Sequence, residues 1–390
     1  MSSMETREVK LGDIVKHNKG YAFKSSEYTD EGVMVVRVTD FTLDSISDAD
    51  AVYLAPDDRY DKFILKTNDI LIQTVGSWAN NPNSIVGKVV RVPKQCDNAY
   101  LNQNIVRIIP NNDLDNTYLF YALKANHFST YCVLRGQGAA NQASITLDTI
   151  FRFKFKAHNF TAQKRIAGIL SAYDNLIENN NKRIRLLEQM ARNLYKEWFV
   201  RFRFPGYEGV EFENGLPKEW EYTKLEGLAN ISTGKCNRED AEEDGAYPLF
   251  DRSQEIKRSN VWLKDCEAII VPGEGTSFIP RYYNGKFNLH QRCYCVEPLE
   301  KGMGFFLYQT LMMYRIYFLY VATGATVPSL RLNNFNDFKV LLPKKELCFQ
   351  YNEIAEKMND EILLLKNKNE LLAKQRDMLL PRLMSGKLEV

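Results

Sequence analysis

The sequence predicts an α+β fold: two mixed α/β heads in pseudo-two-fold arrangement, separated by two long antiparallel helices forming a coiled coil. Three observations predict it. An internal repeat runs through the 390 residues, heptad periodicity appears twice, and short β-branched and aromatic runs fill the rest.

The repeat is read by sliding the chain against itself. Lys10-Leu11 recurs as Lys224-Leu225 and Gly20 as Gly234. Leu65-Lys66 falls on Leu263-Lys264 and Gly87-Lys88 on Gly285-Lys286. Leu101, Gln103 and Pro110 meet Leu289, Gln291 and Pro298; Gly136 meets Gly324, and Ile166-Ala167 meets Ile354-Ala355. The order of these matches is preserved from end to end, whereas chance similarity would scatter them.

Within each copy the globular part comes first. Val33–Val38, Asp69–Thr74, Val86–Val92 and Ile105–Ile109 read as strands broken by Gly, Asn and Pro. A helix over Thr117–Leu134 and a Gly-rich loop at Arg135–Gly138 follow. The second copy repeats the plan with Ala268–Val271, Phe287–Val296, a helix near Phe305–Tyr320 and a loop at Thr323–Ser329.

Each copy closes with a long helix. In the first, Thr161 is the expected N-cap. Ile166, Tyr173, Asn180, Leu187 and Leu194 form one seam column; Leu170, Ile177, Ile184, Ala191 and Trp198 form the other. In the second, Tyr351, Met358, Leu365, Leu372 and Leu379 pair with Ala355, Ile362, Asn369 and Arg376, and Pro381 is expected to end it. A helix of about 40 residues is about 60 Å long, so the pair would act as a spacer between heads. The domains read as 1–157, 158–204 for the first spacer helix, 205–345, and 346–390 for the second.

Composition excludes other classes. Lys and Arg total 51 against 49 acids, a formal charge of +2, which excludes a uniformly basic coat but not a locally basic face. From Thr161 to Arg203 nine basic residues outnumber four acids, enough to follow phosphates. Seven cysteines without a CxxC pair, and a charged start lacking an apolar leader core, predict a reduced, cytoplasmic protein. The apolar run Phe305–Val321 carries Gln309 and Arg315 and reads as a buried helix rather than a membrane span. No Pro-Pro, P-loop or GxGxxG pattern occurs. His290, Cys293 and Cys295 are too few for a structural zinc site, and no catalytic or metal-binding residue is assigned.

The stretches QKRIAGILSAYDNLIENNNKRIRLLEQMARNLYKEWFVRFRFPG (Gln163 to Gly206) and LLAKQRDMLLPRLMSGKLEV (Leu371 to Val390) resemble the two helical regions of the DNA-specificity (S) subunit of type I restriction–modification enzymes. The order of head, helix, head, helix matches along the whole chain. The resemblance implies that each head is a target-recognition domain reading one half of an asymmetric, bipartite double-stranded DNA site. It implies that the helices set the spacing and dock two methyltransferase subunits, with restriction subunits joining through them. It also implies no cofactor in this chain, with S-adenosylmethionine, ATP and Mg on the partners, where adenine methylation and ATP-dependent cleavage take place. A coiled-coil scaffold with two protein-binding heads and no DNA is the alternative.

Base edges are read by Arg, Lys, Asn and Gln above all. The expected contacts in the first head are Trp78, Asn80, Asn81 and Lys88, with Arg135, Gln137, Asn141 and Gln142. In the second head they are Arg281, Tyr282, Asn284 and Lys286, with Thr323, Thr326, Ser329 and Arg331. Trp198, Phe199, Leu380 and Leu383 are expected as exposed apolar anchors for the methyltransferase.

Overall fold

Residues 6–42, 45–78, 84–139, 142–324 and 326–390 are described by a computed structural model. Two compact units result, Met1–Asn179 with Lys368–Val390, and Asn180–Asn367, so each holds one head and half of each long helix.

The first unit opens with β1 (Thr6–Lys10), α1 (Leu11–Ile14), β2 (Val15–Lys19), β3 (Val33–Val36), β4 (Val52–Leu54), β5 (Ile70–Gln73) and β6 (Val75–Gly76). It continues through β7 (Val89–Arg91), β8 (Tyr100–Leu101), β9 (Ile105–Pro110), α2 (Asn116–Lys124) and α3 (Asn126–Arg135). It ends with β10 (Gln137–Ala139), β11 (Gln142–Ser144), α4 (Leu147–Phe151), β12 (Lys154–His158) and the long α5 (Phe160–Tyr195). The central sheet is ordered β2-β9-β5-β7. Strand alternation splits its side chains between two cores. Ile70, Ile72, Val106 and Ile108 pack with Tyr118 and Leu119 of α2, whereas Leu71, Val90 and Ile105 pack with Met34 and Val36.

The second unit follows the same plan. It contains β13 (Phe212–Glu213), β14 (Leu216–Pro217), β15 (Glu221–Lys224), β16 (Ala229–Thr233), β17 (Tyr247–Phe250) and β18 (Lys257–Ser259). Next come β19 (Lys264–Pro272), β20 (Arg281–Leu289), β21 (Cys293–Pro298), α6 (Gly304–Met313), α7 (Arg315–Val321), α8 (Leu332–Asn336), β22 (Lys339–Leu342) and α9 (Lys345–Met384). Six strands, β16-β21-β19-β20-β17-β18, make one sheet. Ile269, Val271 and Val296 face Phe306, Leu307 and Leu311; Ala268, Ile270 and Cys295 face Phe250 and Phe287.

The repeat holds at the level of strand register. Val15 pairs with Pro110 and Lys19 with Val106; Ala229 pairs with Pro298 and Thr233 with Tyr294. Lys10 faces Lys154 as Lys224 faces Lys339. Leu11 and Leu225, both fully buried, each donate a 2.8 Å backbone bond to the equivalent carbonyl, of Phe153 and of Phe338. Gly20 and Gly234 are matched for a steric reason: a Cβ at either would collide with a carbonyl oxygen, of Asn102 and of Leu289.

One match from the sequence does not survive. Ile70 and Ile269 are equivalent, since they face Ile108 and Val296. Their other neighbours, Arg91 and Tyr282, are therefore equivalent too. Counting back four residues makes Gly87 the counterpart of Phe278, and both have left-handed φ, 80° and 42°. Gly87-Lys88 is thus not the equivalent of Gly285-Lys286.

The two long helices pair antiparallel in both units. In the first, Ile166, Ala167 and Leu170 share a core with Leu380 and Leu383. Arg376 Nη1 lies 2.6 Å from Asp174 Oδ1. In the second, Ile184 packs on Ile362 and Leu365, Arg183 meets Glu361 at 2.7 Å, and the Tyr351 hydroxyl donates to the Ala191 carbonyl at 3.0 Å. Asn180 is buried at its seam position. Four boundary expectations change. Asn159, not Thr161, caps α5, its Oδ1 accepting from the Ala162 N–H at 3.0 Å. The expected helix over Thr117–Leu134 breaks at Ala125, whose ψ of 139° is extended, and that near Phe305–Tyr320 breaks at Tyr314. Pro381 lies inside α9, which runs on to Met384. A proline in the last turn forfeits a single backbone bond, and the Pro381 carbonyl still accepts from Ser385 at 3.1 Å.

Candidate nucleic-acid interface

In the first head the central strand β5 runs on into β6, and β6 carries a hairpin at its edge. Gly76 pairs with Ala143 and Val75 with Ser144, and β11 turns back onto β10. Gly138 makes that hairpin possible, with φ of 144° and a position where a Cβ would strike the Gln142 carbonyl. The segment read as a Gly-rich loop is therefore an edge ribbon. Arg135, Gln137 and Gln142 stand exposed along it, Arg135 stacked 4.1 Å over the Tyr131 ring. Half-buried Trp78 joins them, because its ring lies against Gly136. Lys88 does not: it is only 6% exposed, too deep to meet a phosphate. Asn80, Asn81 and Asn141 lie outside the described residues.

The second head builds a shorter version of this edge. Glu274, just past β19, bridges to Ser329, which also bridges to Thr323. Thr323 and Ser329 exchange backbone bonds of 2.9 and 2.8 Å, and Gly324 turns the ribbon with φ of 117°. Beside it lies a cleft of about 270 Å³ lined by Glu274, Gln291, Arg292, Tyr294, Ser329 and Arg331 among others. Glu274 accepts from two guanidiniums, those of Arg252 and Arg292, the latter at 3.0 Å. The cleft thus offers both donors and an acceptor.

Of the expected contacts in this head, Thr323, Thr326, Ser329 and Arg331 fall on or beside the ribbon. The others do not gather there. Arg281 is held inside the fold, donating to the carbonyls of Asp251 at 2.6 Å and Ser253 at 2.9 Å with Phe250 beneath it at 5.0 Å. Burial pulls its pKa down. Tyr282 stacks on Phe305 at 4.0 Å and donates to Glu267 at 2.8 Å; burial and that carboxylate push its hydroxyl pKa up. Asn284 and Lys286 are exposed further along β20, Lys286 over the Trp262 ring at 5.0 Å. Sequence reading missed Glu274 and Arg292, which line the cleft from two segments, and Arg252, which pairs with Glu274. A signal exists in Gln291-Arg292, which lies between His290 and Cys293 of the metal-like run. His290 of that run accepts from the Arg292 N–H through its Nδ1 at 3.0 Å.

The expected anchors are also corrected. Trp198 and Phe199 are 8% and 5% exposed, and Leu380 and Leu383 are 8% and 0%. They serve the cores of their own units, because the seam of each long helix continues into its head. The apolar side chains left open on the helices are others, among them Leu363 and Leu364 in the second unit and Leu371 and Met378 in the first.

No helix among the described residues is long and apolar enough to cross a membrane. Comparison with known proteins agrees with the geometry. The family model for the type I restriction modification DNA specificity domain matches residues 4–189 and again 217–374. The chain is 24% identical over 315 residues to the type I restriction enzyme MjaIX specificity subunit of Methanocaldococcus jannaschii, covering 74% of this chain and 73% of that one. It is 34% identical over 144 residues to the EcoDI specificity subunit of Escherichia coli, covering 37% and 31%. The crystal structure of a type I S subunit from M. genitalium shares the fold, with a TM-score of 0.59 at 17% identity over 98% of this chain and 97% of that one. Matched once by each half, this chain belongs to the type I restriction modification DNA specificity family and is the non-catalytic specificity subunit of a system with methyltransferase and nuclease activity.

Proposed function

We propose that each head reads one half of a bipartite, asymmetric double-stranded DNA site through the ribbon at the edge of its central sheet, and that the paired helices set the distance between the halves. The observation that carries this is the same edge hairpin in both heads, with different side chains on it or immediately beside it. The first offers Arg135, Gln137 and Gln142; the second offers Glu274, Arg292 and Arg331. An exposed Arg pairs with guanine and a carboxylate accepts from cytosine, so unlike ribbons select unlike half-sites. Non-catalytic reading leaves S-adenosylmethionine, ATP and Mg to the methyltransferase and restriction subunits, in the cytoplasm.

The test is methylome sequencing of a host expressing this chain with its partner subunits. Arg292→Ala should relax one base of one half-site, a loss of about 1–3 kcal/mol of discrimination, and leave the other half-site unchanged. Relaxation of both halves, or of neither, would remove the cleft from base reading.

Docking of two methyltransferase subunits is assigned to the open apolar side chains of the helices in place of the buried anchors. Changing Leu363 and Leu364 together to Lys should abolish co-purification of methyltransferase with a chain that melts normally. Retained assembly would reject this face.

A further inference from the structure

Away from the reading ribbon, three side chains of the second sheet converge. Cys266, Cys295 and a Glu297 carboxylate oxygen place their ligand atoms within 4.8 Å of one another. Cys295 is fully buried; Cys266 and Glu297 are half-buried, so solvent reaches the group from one side. Lys264 completes the surroundings, its ammonium 2.7 Å from Glu297 Oε2.

Their place in the sheet is informative. The β19–β21 ladder begins at Ile269 opposite Val296 and runs to Pro272 opposite Cys293. Cys266 and Glu297 lie just beyond its end, where β19 pairs only with β20 and β21 only with β16. Cys266 faces Gly285 and Cys295 faces Ile270, so the two cysteines are not cross-strand partners. Their sulfurs converge from offset backbones. A disulfide requires Cα atoms about 4.4–6.8 Å apart, whereas an ion about 2.3 Å from each sulfur bridges a wider separation.

We propose that Cys266, Cys295 and Glu297 bind a thiophilic divalent cation, zinc in the first instance, as an open three-ligand site at the end of the β19–β21 ladder, unlike the closed four-ligand sites of structural zinc. Two sulfurs on one tetrahedral ion stand about 3.8 Å apart for bonds of about 2.3 Å, compatible with the spacing here. Two thiol protons leave as the ion enters. The two thiolates and the carboxylate then carry three negative charges, which the divalent ion and the Lys264 ammonium balance. Lys264 orients Glu297 from behind, and a water takes the fourth position on the open side. This cation site is separate from the DNA-reading role.

The reduced full-length chain should hold one equivalent of Zn²⁺ against a chromophoric chelator, and Cd²⁺ should give one thiolate charge-transfer absorption. Cys266→Ser should lose both, Glu297→Gln should weaken binding, and Lys264→Met should weaken it roughly tenfold. Cys236→Ser, distant from the group, should change nothing. Each variant is first checked for an unaltered thermal melt; Glu297→Gln decides the matter if Cys266→Ser does not fold. No stoichiometric zinc, zinc retained by Cys266→Ser and Glu297→Gln alike, or a Cys266–Cys295 disulfide formed readily with diamide would overturn the site.

Discussion

Asp251 shows how one residue can hold a loop in place. Burial alone would raise its pKa, but the Lys257 ammonium at 2.6 Å and two bonds from Ser253 hold it down to about 2. A depressed carboxyl stabilises the fold above its unfolded pKa near 3.8, and that contribution is lost as pH falls from there through about 2. The shift corresponds to about 2 kcal/mol. Lys257→Met should therefore lower stability at neutral pH by a part of that, since the Ser253 bonds remain, with the gap to wild type closing as pH falls through about 2. Acid titration of the two melting curves measures this, and a gap that persists would assign the loss to packing. At this scale the sequence was a poor guide. Arg281 and Lys88 look like DNA contacts because their side chains are long and basic. Whether such a side chain reaches water or satisfies a buried carbonyl depends on neighbours distant in the chain, here Asp251 and Ser253 around Arg281.

Among the elements, the pairing of α5 with α9 includes a buried ion pair. Arg376 occupies a seam position where an apolar side chain is usual, yet it is 3% exposed and meets Asp174 across the seam. Asp174 also accepts from the Tyr121 hydroxyl and has Arg91 at 3.7 Å, tying α2 and β7 to the helices. Removing one partner of a buried pair leaves the other's charge under-compensated. Arg376→Met should cost about 3 kcal/mol, and Asp174→Asn in the same chain should recover a large part, as urea melts of the single and double variants would show. Periodicity located both long helices because burial every three or four residues is written directly into their sequence. It missed the breaks at Ala125 and Tyr314, where apolar content continues while the backbone turns. It also misjudged Pro381, because the cost of proline depends on its place within the helix.

For the whole molecule, the proposed function makes the helices a ruler. Inserting one heptad after Asn179 and another after Asn367, at the sequence boundaries of the two units, lengthens each helix by about 10 Å. The gap between half-sites should grow by about three base pairs, read as the methylated motif. An unchanged gap would mean the helices do not set it. The sequence by itself determined the twofold plan, the family and the helical pairing, because repeats, heptads and steric glycines such as Gly20 and Gly234 are local or periodic. Only the tertiary structure decided which side chains line the edge ribbons, which apolar residues remain open on the helices, and that Cys266 meets Cys295. Those facts arise where separate segments converge, and strand register fixes such meetings without leaving a pattern along the chain.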